Sequence, residues 1–361
     1  MIENKLILGA DIGKDILQIS CYQDHQEELL EITMPLEEKN GWTGQAVFKQ
    51  LELFLKEQQL LDTRIEKIVL SFGEVELKVQ KQIKNAFVSA GFSGDDLYVI
   101  SRENAFIHYV IHQEKSLYEH TVLLFDFDGK DLYGYRLEHS KKKTPRKIKA
   151  EKSMIGSFTL LGESKDWGKM FDEHFASIAR QILSKEVVSA VFLTGKGFEG
   201  GWLSKALQIL CSGRRAFIGQ NLFSGGCCYY GLDTKEQIKK DCVICAPETV
   251  LYEAGVVDGN EQFVTITKAG GAWYETKGSL VLIPERGGKL DIVFSNSVTM
   301  EKQVESVDIS GLPTRPRKTG RLKVTVEFLG SREGFILVLD QGFGAFSPST
   351  HQVFLKEFKL L

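Results

Sequence analysis

Asp11-Ile-Gly13-Lys14-Asp15-Ile-Leu17 and Asp126-Phe-Asp128-Gly129-Lys130-Asp131-Leu132 are the two stretches on which the reading of this chain turns. Each follows an apolar run, residues 6–10 and 121–125, and precedes an alternating one. Each carries the string Gly-Lys-Asp-(Ile/Leu), at 13–16 and 129–132. An apolar run, a turn of Asp and Gly and then an alternating run make the pattern of a β-hairpin. Such turn residues are also common for conformational reasons alone, so the weight lies in what surrounds them.

The surroundings repeat as well. After the first turn come strands at 16–21 and near 29–33, and then a helix at 47–59 with Val47, Leu51, Phe54 and Leu55 on one face. A strand at 67–72, a helix at 74–90 ended by Gly91, a strand at 97–100 and a helix at 103–112 follow. After the second turn the order returns: strands at 132–137 and near 148–152, a helix at 171–183, a strand at 187–194, a helix at 202–210, a strand at 215–217 and a small-residue helix at 223–230. Two βββαβαβα halves, 1–117 and 118–240, are the economical reading, and they make a duplicated α/β unit. From about 241 the helical signal stops and short alternating runs appear at 263–267, 279–283, 290–294, 322–328 and 335–339. Residues 241–361 therefore read as a β-sandwich, with Leu312-Pro-Thr-Arg-Pro316 crossing between its sheets. Phe343, Phe346 and Trp273 read as sandwich-core aromatics, or else as the lining of a peptide site.

Composition narrows the function. A length of 361 residues implies two or three folding units, and a net charge of -3 leaves no basic field for nucleic acid. The basic run at 141–147 reads as a solvated turn. No signal peptide and no apolar run of about 20 residues is visible, so a cytoplasmic protein without a membrane partner is expected. Its six cysteines are then reduced. Cys242-Val-Ile-Cys245 has zinc-knuckle spacing, but adjacent Cys227 and Cys228 are poor partners, and small apolar roles are expected for all four. His108 and His112 stand at i, i+4 and read as a helix-surface pair. Gly195-Lys-Gly197-Phe-Glu-Gly200 is a literal G-x-G-x-x-G, yet no carboxylate stands about twenty positions on, where a dinucleotide site needs one.

Two facing hairpins with glycine and acid at their tips suit a polyphosphate, with backbone N–H groups forming a nest and the carboxylates acting through a cation. The residues resemble the actin/Hsp70/sugar-kinase ATPase superfamily. Leu8-Gly-Ala-Asp11-Ile-Gly13 is similar to its first phosphate motif, Asp126-Phe-Asp128-Gly129 to its second, and Val191-Phe-Leu-Thr-Gly195-Lys-Gly197-Phe to its adenosine motif. Ile100-Ser-Arg-Glu103 and Asn221-Leu-Phe-Ser-Gly-Gly226-Cys resemble its two connecting helices. Gly311-Leu-Pro-Thr-Arg-Pro316 and residues 322–328 resemble late strands of the Hsp70 peptide-binding domain, without the helical lid.

The resemblance implies that ATP and Mg²⁺ bind between the halves. Asp11 and Asp126 would hold Mg²⁺ through water, Glu103 would assist, and Asp126 would orient the attacking water. Gly13, Lys14, Asp128, Gly129 and Lys130 would face the phosphates, and Gly195 and Gly197 the adenosine. The second motif departs from the family's Asp-x-Gly-Gly-Gly by placing Asp128 close to phosphate, and the first carries Lys14-Asp15 in place of small hydroxyl residues. A lysine is a point charge and does not rebuild a backbone nest. The sequence thus points to an Hsp70-like protein with weak or absent hydrolysis whose β-domain takes a peptide or a partner protein. The alternative is a pseudo-ATPase scaffold that binds no nucleotide.

Overall fold

A computed structural model describes residues 5–13, 16–23, 29–35, 44–60, 64–73, 77–140, 146–158, 167–236, 242–284, 288–316 and 319–361. Lys14 and Asp15, the start of the helix expected at 74–90, and most of the basic run at 141–147 lie outside them. The chain divides into two compact units, Met1–Cys242 and Val243–Leu361.

In the first unit, β1 (Lys5–Ile12), β2 (Ile16–Gln23), β3 (Leu30–Pro35), β4 (Arg64–Phe72) and β5 (Leu97–Ser101) form one sheet in the order β3-β2-β1-β4-β5. β1 is antiparallel to β2 and parallel to β4, which is parallel to β5. The central β1 is buried on both faces, which is why residues 6–10 read as an unbroken apolar run. Helices α1 (Gly44–Glu57) and α2 (Leu77–Ser89) cover one face, where Val47, Leu51 and Phe54 pack with Ile83 and Phe87. Helix α3 (Arg102–Ile111) follows β5 directly.

A second sheet contains β6 (Thr121–Phe127), β7 (Asp131–His139), β8 (Arg146–Ser157), β9 (Val188–Thr194) and β10 (Arg215–Ile218), ordered β8-β7-β6-β9-β10. Over these five strands the order is that of the first sheet, with the same antiparallel hairpin and the same parallel neighbours. Helices α4 (Trp167–Leu183), α5 (Lys205–Leu210) and α6 (Leu222–Glu236) complete the half. Helix α5 begins later than its sequence pattern implies because Trp202 is drawn to α4 instead, packing on Phe171 and donating its indole N–H to the Gly197 carbonyl at 3.0 Å.

The two halves exchange their last helices. Helix α6 packs on the first sheet, where Ser224 and Ser20 share a 2.7 Å hydrogen bond and Cys228 lies 3.0 Å from the Ser20 carbonyl. Helix α3 sets Phe106 against Tyr135 and Phe192 of the second sheet. Where α3 and α6 cross, a Cβ on Gly226 would overlap the Ala105 carbonyl, so only glycine permits the approach. The expectation of a helix-surface histidine pair is corrected at this crossing. His108 is buried, and its Nδ1 lies 2.7 Å from Asp233 of α6, while His112 Nε2 lies 3.0 Å from the same carboxylate.

Strand β11 (Cys242–Cys245) lies at the junction of the units. In the second unit, β12 (Tyr252–Val257), β13 (Phe263–Thr267), β14 (Lys277–Leu282), β15 (Lys289–Asn296), β16 (Lys302–Asp308), β17 (Leu322–Phe328), β18 (Glu333–Asp340), β19 (Gly342–Ala345) and β20 (Val353–Lys359) follow, with no helix among the described residues. Two sheets, β13-β12-β15-β16 and β14-β17-β18-β20, share one core in which Tyr252, Ile292 and Phe294 meet Val324, Ile336 and Phe358. The Leu312–Pro316 stretch falls between β16 of one sheet and β17 of the other. Trp273 packs against the core, but Phe343 is 39% and Phe346 92% exposed, which corrects their reading as core aromatics.

The crossing of α3 and α6 yields a test. Helix propensity alone favours Ala over Gly by up to about 1 kcal/mol, whereas overpacking costs about 1–3 kcal/mol. Gly226→Ala is expected to lower the urea midpoint, corresponding to a net loss of up to about 2 kcal/mol once the propensity gain is subtracted.

Candidate functional site

The ends of β1 and β6 border one cleft within the first unit. Asp11, on β1, is 3% exposed, and Asp126, on β6, is 9% exposed. Both are bound to one side chain, Arg102, the first residue of α3. Arg102 Nε donates to Asp11 Oδ1 at 2.9 Å and Nη2 to Oδ2 at 2.8 Å, while Nη1 donates to Asp126 Oδ2 at 3.2 Å. The Ser71 hydroxyl, at the end of β4, adds a bond to Asp11 Oδ1 at 2.7 Å. The guanidinium also stacks 5.0 Å from the ring of Phe223 on α6.

A cation at a helix N-terminus opposes the helix dipole, so Arg102 needs these carboxylates as much as they need it. Burial alone would lower its pKa, but Asp11 and Asp126 outweigh that and raise it. The triad carries two negative charges against one positive. Burial, reinforced by Asp11 and Asp128 and opposed by Arg102, pushes Asp126 up to about 6.

The second turn is closed on itself. Asp128 Oδ1 accepts the backbone N–H groups of Lys130 and Asp131, each at 2.7 Å. Those donors would form a phosphate nest, and a carboxylate of this chain already fills it. Gly129 supplies the left-handed φ of 97° that the turn requires. In the first turn the Gly13 N–H donates to the Ile16 carbonyl at 2.9 Å, closing its own hairpin. Gly195 and Gly197 press on Phe127, and side chains at either position would overlap it. Glu103 lies in the first turn of α3, and its charge reaches Tyr135. Lys14 is outside the described residues.

Beside the triad lies a cleft of about 360 Å³, with Gly13, Ile16 and Gly73 on one side and Tyr133, Lys152 and Lys196 on the other. The Lys152 ammonium spans it, donating to the Gly73 carbonyl at 3.3 Å and lying 4.6 Å from the Tyr133 ring centre.

This geometry does not fit a magnesium ion at Asp11 and Asp126. A guanidinium occupies the space between the carboxylates, and Asp11 already accepts three hydrogen bonds. Among the described residues no group of three His, Cys, Asp or Glu side chains stands together as a metal site. Cys227 and Cys228 are buried in α6, Cys242 and Cys245 lie on β11, and none of the six cysteines is in a disulfide. No helix among the described residues is long and apolar enough to cross a membrane.

The second unit carries a larger opening, an apolar groove of about 830 Å³ lined among others by Val264, Leu280, Val281, Leu282 and Val293. Its walls include β13 and β14, each the edge strand of its sheet. Asp258, Lys289 and Asp291 stand along it.

Residues 38–247, well over half of the chain, match the family model described as "Family of unknown function (DUF5716) C-terminal", and the chain belongs to that family. Residues 254–360 match "Domain of unknown function (DUF8552)". Among curated proteins none matches the sequence. Similar solved structures include the activator of the 2-hydroxyisocaproyl-CoA dehydratase from Clostridium difficile with bound ADPNP, at TM-score 0.39 and 11% identity over 65% of this chain and 98% of that one. The ethanolamine utilization protein EutJ from Carboxydothermus hydrogenoformans gives 0.41 and 10% over 62% and 89%. The ROK hexokinase from Thermus thermophilus gives 0.41 and 12% over 63% and 98%. These neighbours have the actin-like ATPase fold. At such scores the likeness carries no argument about activity, which rests on the residues of this chain.

The triad makes two opposite predictions. Arg102→Met strands two buried carboxylates, with an expected loss of about 3–5 kcal/mol at pH 7.5. Asp126→Asn keeps the Asp11 pair, and its effect follows from linkage. The folded value of Asp126, about 6, lies above the ordinary 3.8, so its contribution is fully present below 3.8 and is lost as pH rises through about 6. Asp126→Asn should therefore match or exceed the wild type at pH 7.5, and Arg102→Met should recover part of its loss at pH 5. Urea titrations at the two pH values check both.

Proposed function

We propose that residues 1–242 are an actin-like ATPase fold of two related halves whose cleft is sealed from within, so that the unit is a scaffold that binds no Mg-ATP. The observation that carries this reading is the single guanidinium of Arg102 bonded to carboxylates of both halves. In that arrangement the side chain supplies the positive charge that a metal would otherwise bring between the two acids. The self-closed Asp128 turn supports the same reading, since it leaves the phosphates without the donors they need. Asp126 then has no water to orient, and hydrolysis is absent.

The binding role falls to the unit Val243–Leu361, which we read as a β-sandwich whose groove takes an extended apolar segment along β13 and β14. Edge strands offer main-chain donors and acceptors, and the aliphatic floor offers pockets for alternate side chains.

A second reading, Mg-ATP binding with slow turnover, is favoured by the cleft volume of about 360 Å³, which lies within the range of ligand sites. Thermal unfolding with and without millimolar Mg-ATP separates the two. A ligand at about 100 times its Kd adds about 2.7 kcal/mol, or roughly 5–10 °C for a unit of this size. No shift is expected with Mg-ATP, Mg-ADP or Mg²⁺ alone. A rise of several degrees that needs both nucleotide and metal would replace the scaffold reading with the second one.

A further inference from the structure

We propose that the chain forms a two-fold dimer through its second unit, in which the loop bearing Phe343 and Phe346 on each copy enters the apolar groove of the other. The inference rests on the groove being a binding site, and it gives that site a folded loop in place of an extended segment.

The loop after β18 is held in place by a buried carboxylate. Asp340, 1% exposed, accepts Arg315 Nη1 at 2.7 Å and Nη2 at 2.8 Å, the Gly342 N–H at 3.0 Å, and the Thr350 N–H and hydroxyl at 2.8 and 2.6 Å. Arg315 also donates to the Pro348 carbonyl at 2.7 Å, and the Phe343 N–H donates to the Ser347 carbonyl at 2.6 Å. Taking a carboxylate out of water is costly unless every oxygen is satisfied, and here the result is a fixed surface loop. That loop presents Phe346 to solvent. A rigid exposed aromatic loses little conformational freedom on binding, which is the property of an interface anchor.

The groove supplies the complement. Val257, Val281 and Ile283, three of its residues, are 54%, 51% and 46% exposed, an apolar surface that water covers poorly. Charge agrees with shape. Arg321 lies 5.5 Å from the Phe343 ring centre, and among the described residues the groove carries Asp258 and Asp291 against Lys289.

Position selects a second copy as the occupant. Leu282 on β14 pairs with Leu322 on β17, which pairs with Asp340 on β18. The groove end of β14 and the root of the loop therefore share one end of a sheet, two strands or about 10 Å apart. A two-fold axis at that end brings each loop to the other copy's groove, the reciprocal contact of an isologous dimer.

Sedimentation velocity of the full chain over a range of micromolar concentrations tests the proposal. The wild type is expected to reach twice the 40.6 kDa chain mass, and Phe346→Asp and Val281→Asp each to remain monomeric with unchanged circular dichroism. Mixing the two variants should restore a weaker heterodimer, because one intact loop meets one intact groove. A wild type that stays monomeric, or a Phe346→Asp dimer as tight as the wild type, overturns the proposal. Anisotropy with labelled apolar peptides then separates the failures. Binding that Val281→Asp abolishes retains the groove as a peptide site, and flat titrations remove both readings.

Discussion

One guanidinium between two buried carboxylates organises the first unit. Asp11 and Asp126 end corresponding strands of the two halves, and both point into the space between them. Unpaired, they would repel each other across a medium that screens charge poorly. Arg102 resolves the repulsion, and because it opens α3, the resolution also fixes where that helix begins. The same helix carries Phe106 into the second half, while α6 carries Ser224 and Cys228 into the first. Moving the halves apart would have to break the ion pairs, the α3–α6 crossing and the Asp233 link to His108 and His112 together.

This arrangement gives the departures from the ATPase motif a single physical sense. An aspartate at 128 looks hostile to phosphate only if phosphate is to be bound there. In the structure it is the acceptor for its own turn, and it does internally what an anionic ligand would do. Arg102 likewise places a positive charge between the two acids. On the proposed scaffold reading, the chain itself provides both the anion in the nest and the cation between the acids. The second unit has the opposite character, with an open apolar groove and an exposed phenylalanine on a loop held rigid from behind.

The strand and helix order of the first unit was readable because it rests on strong local signals. Residues 6–10 and 121–125 are central strands buried on both faces, and Val47, Leu51 and Phe54 mark a helix face at its own period. What escaped reading depends on long-range pairing. Arg102 is a charged residue at a helix start, and nothing local shows that its partners lie 91 and 24 positions away. Asp233 stands 125 residues from His108, so the pair looked like surface histidines. Strands β16 and β20 show no clear alternation in sequence because their charged residues blunt the pattern, as in Lys302-Gln-Val-Glu-Ser-Val-Asp308. In β12 the interior Gly255 interrupts the run. Phe346 reads as core in sequence because its exposure is set by Asp340, whose role as an anchor emerges only in three dimensions.

The most direct test of the sealed cleft is a crystal structure grown with magnesium and a non-hydrolysable ATP analogue at millimolar concentration. The Arg102 guanidinium is expected between Asp11 and Asp126, as it stands without ligand, with no nucleotide density between the two turns. Density for a metal-bound triphosphate there, with Arg102 swung away from one or both carboxylates, would contradict it.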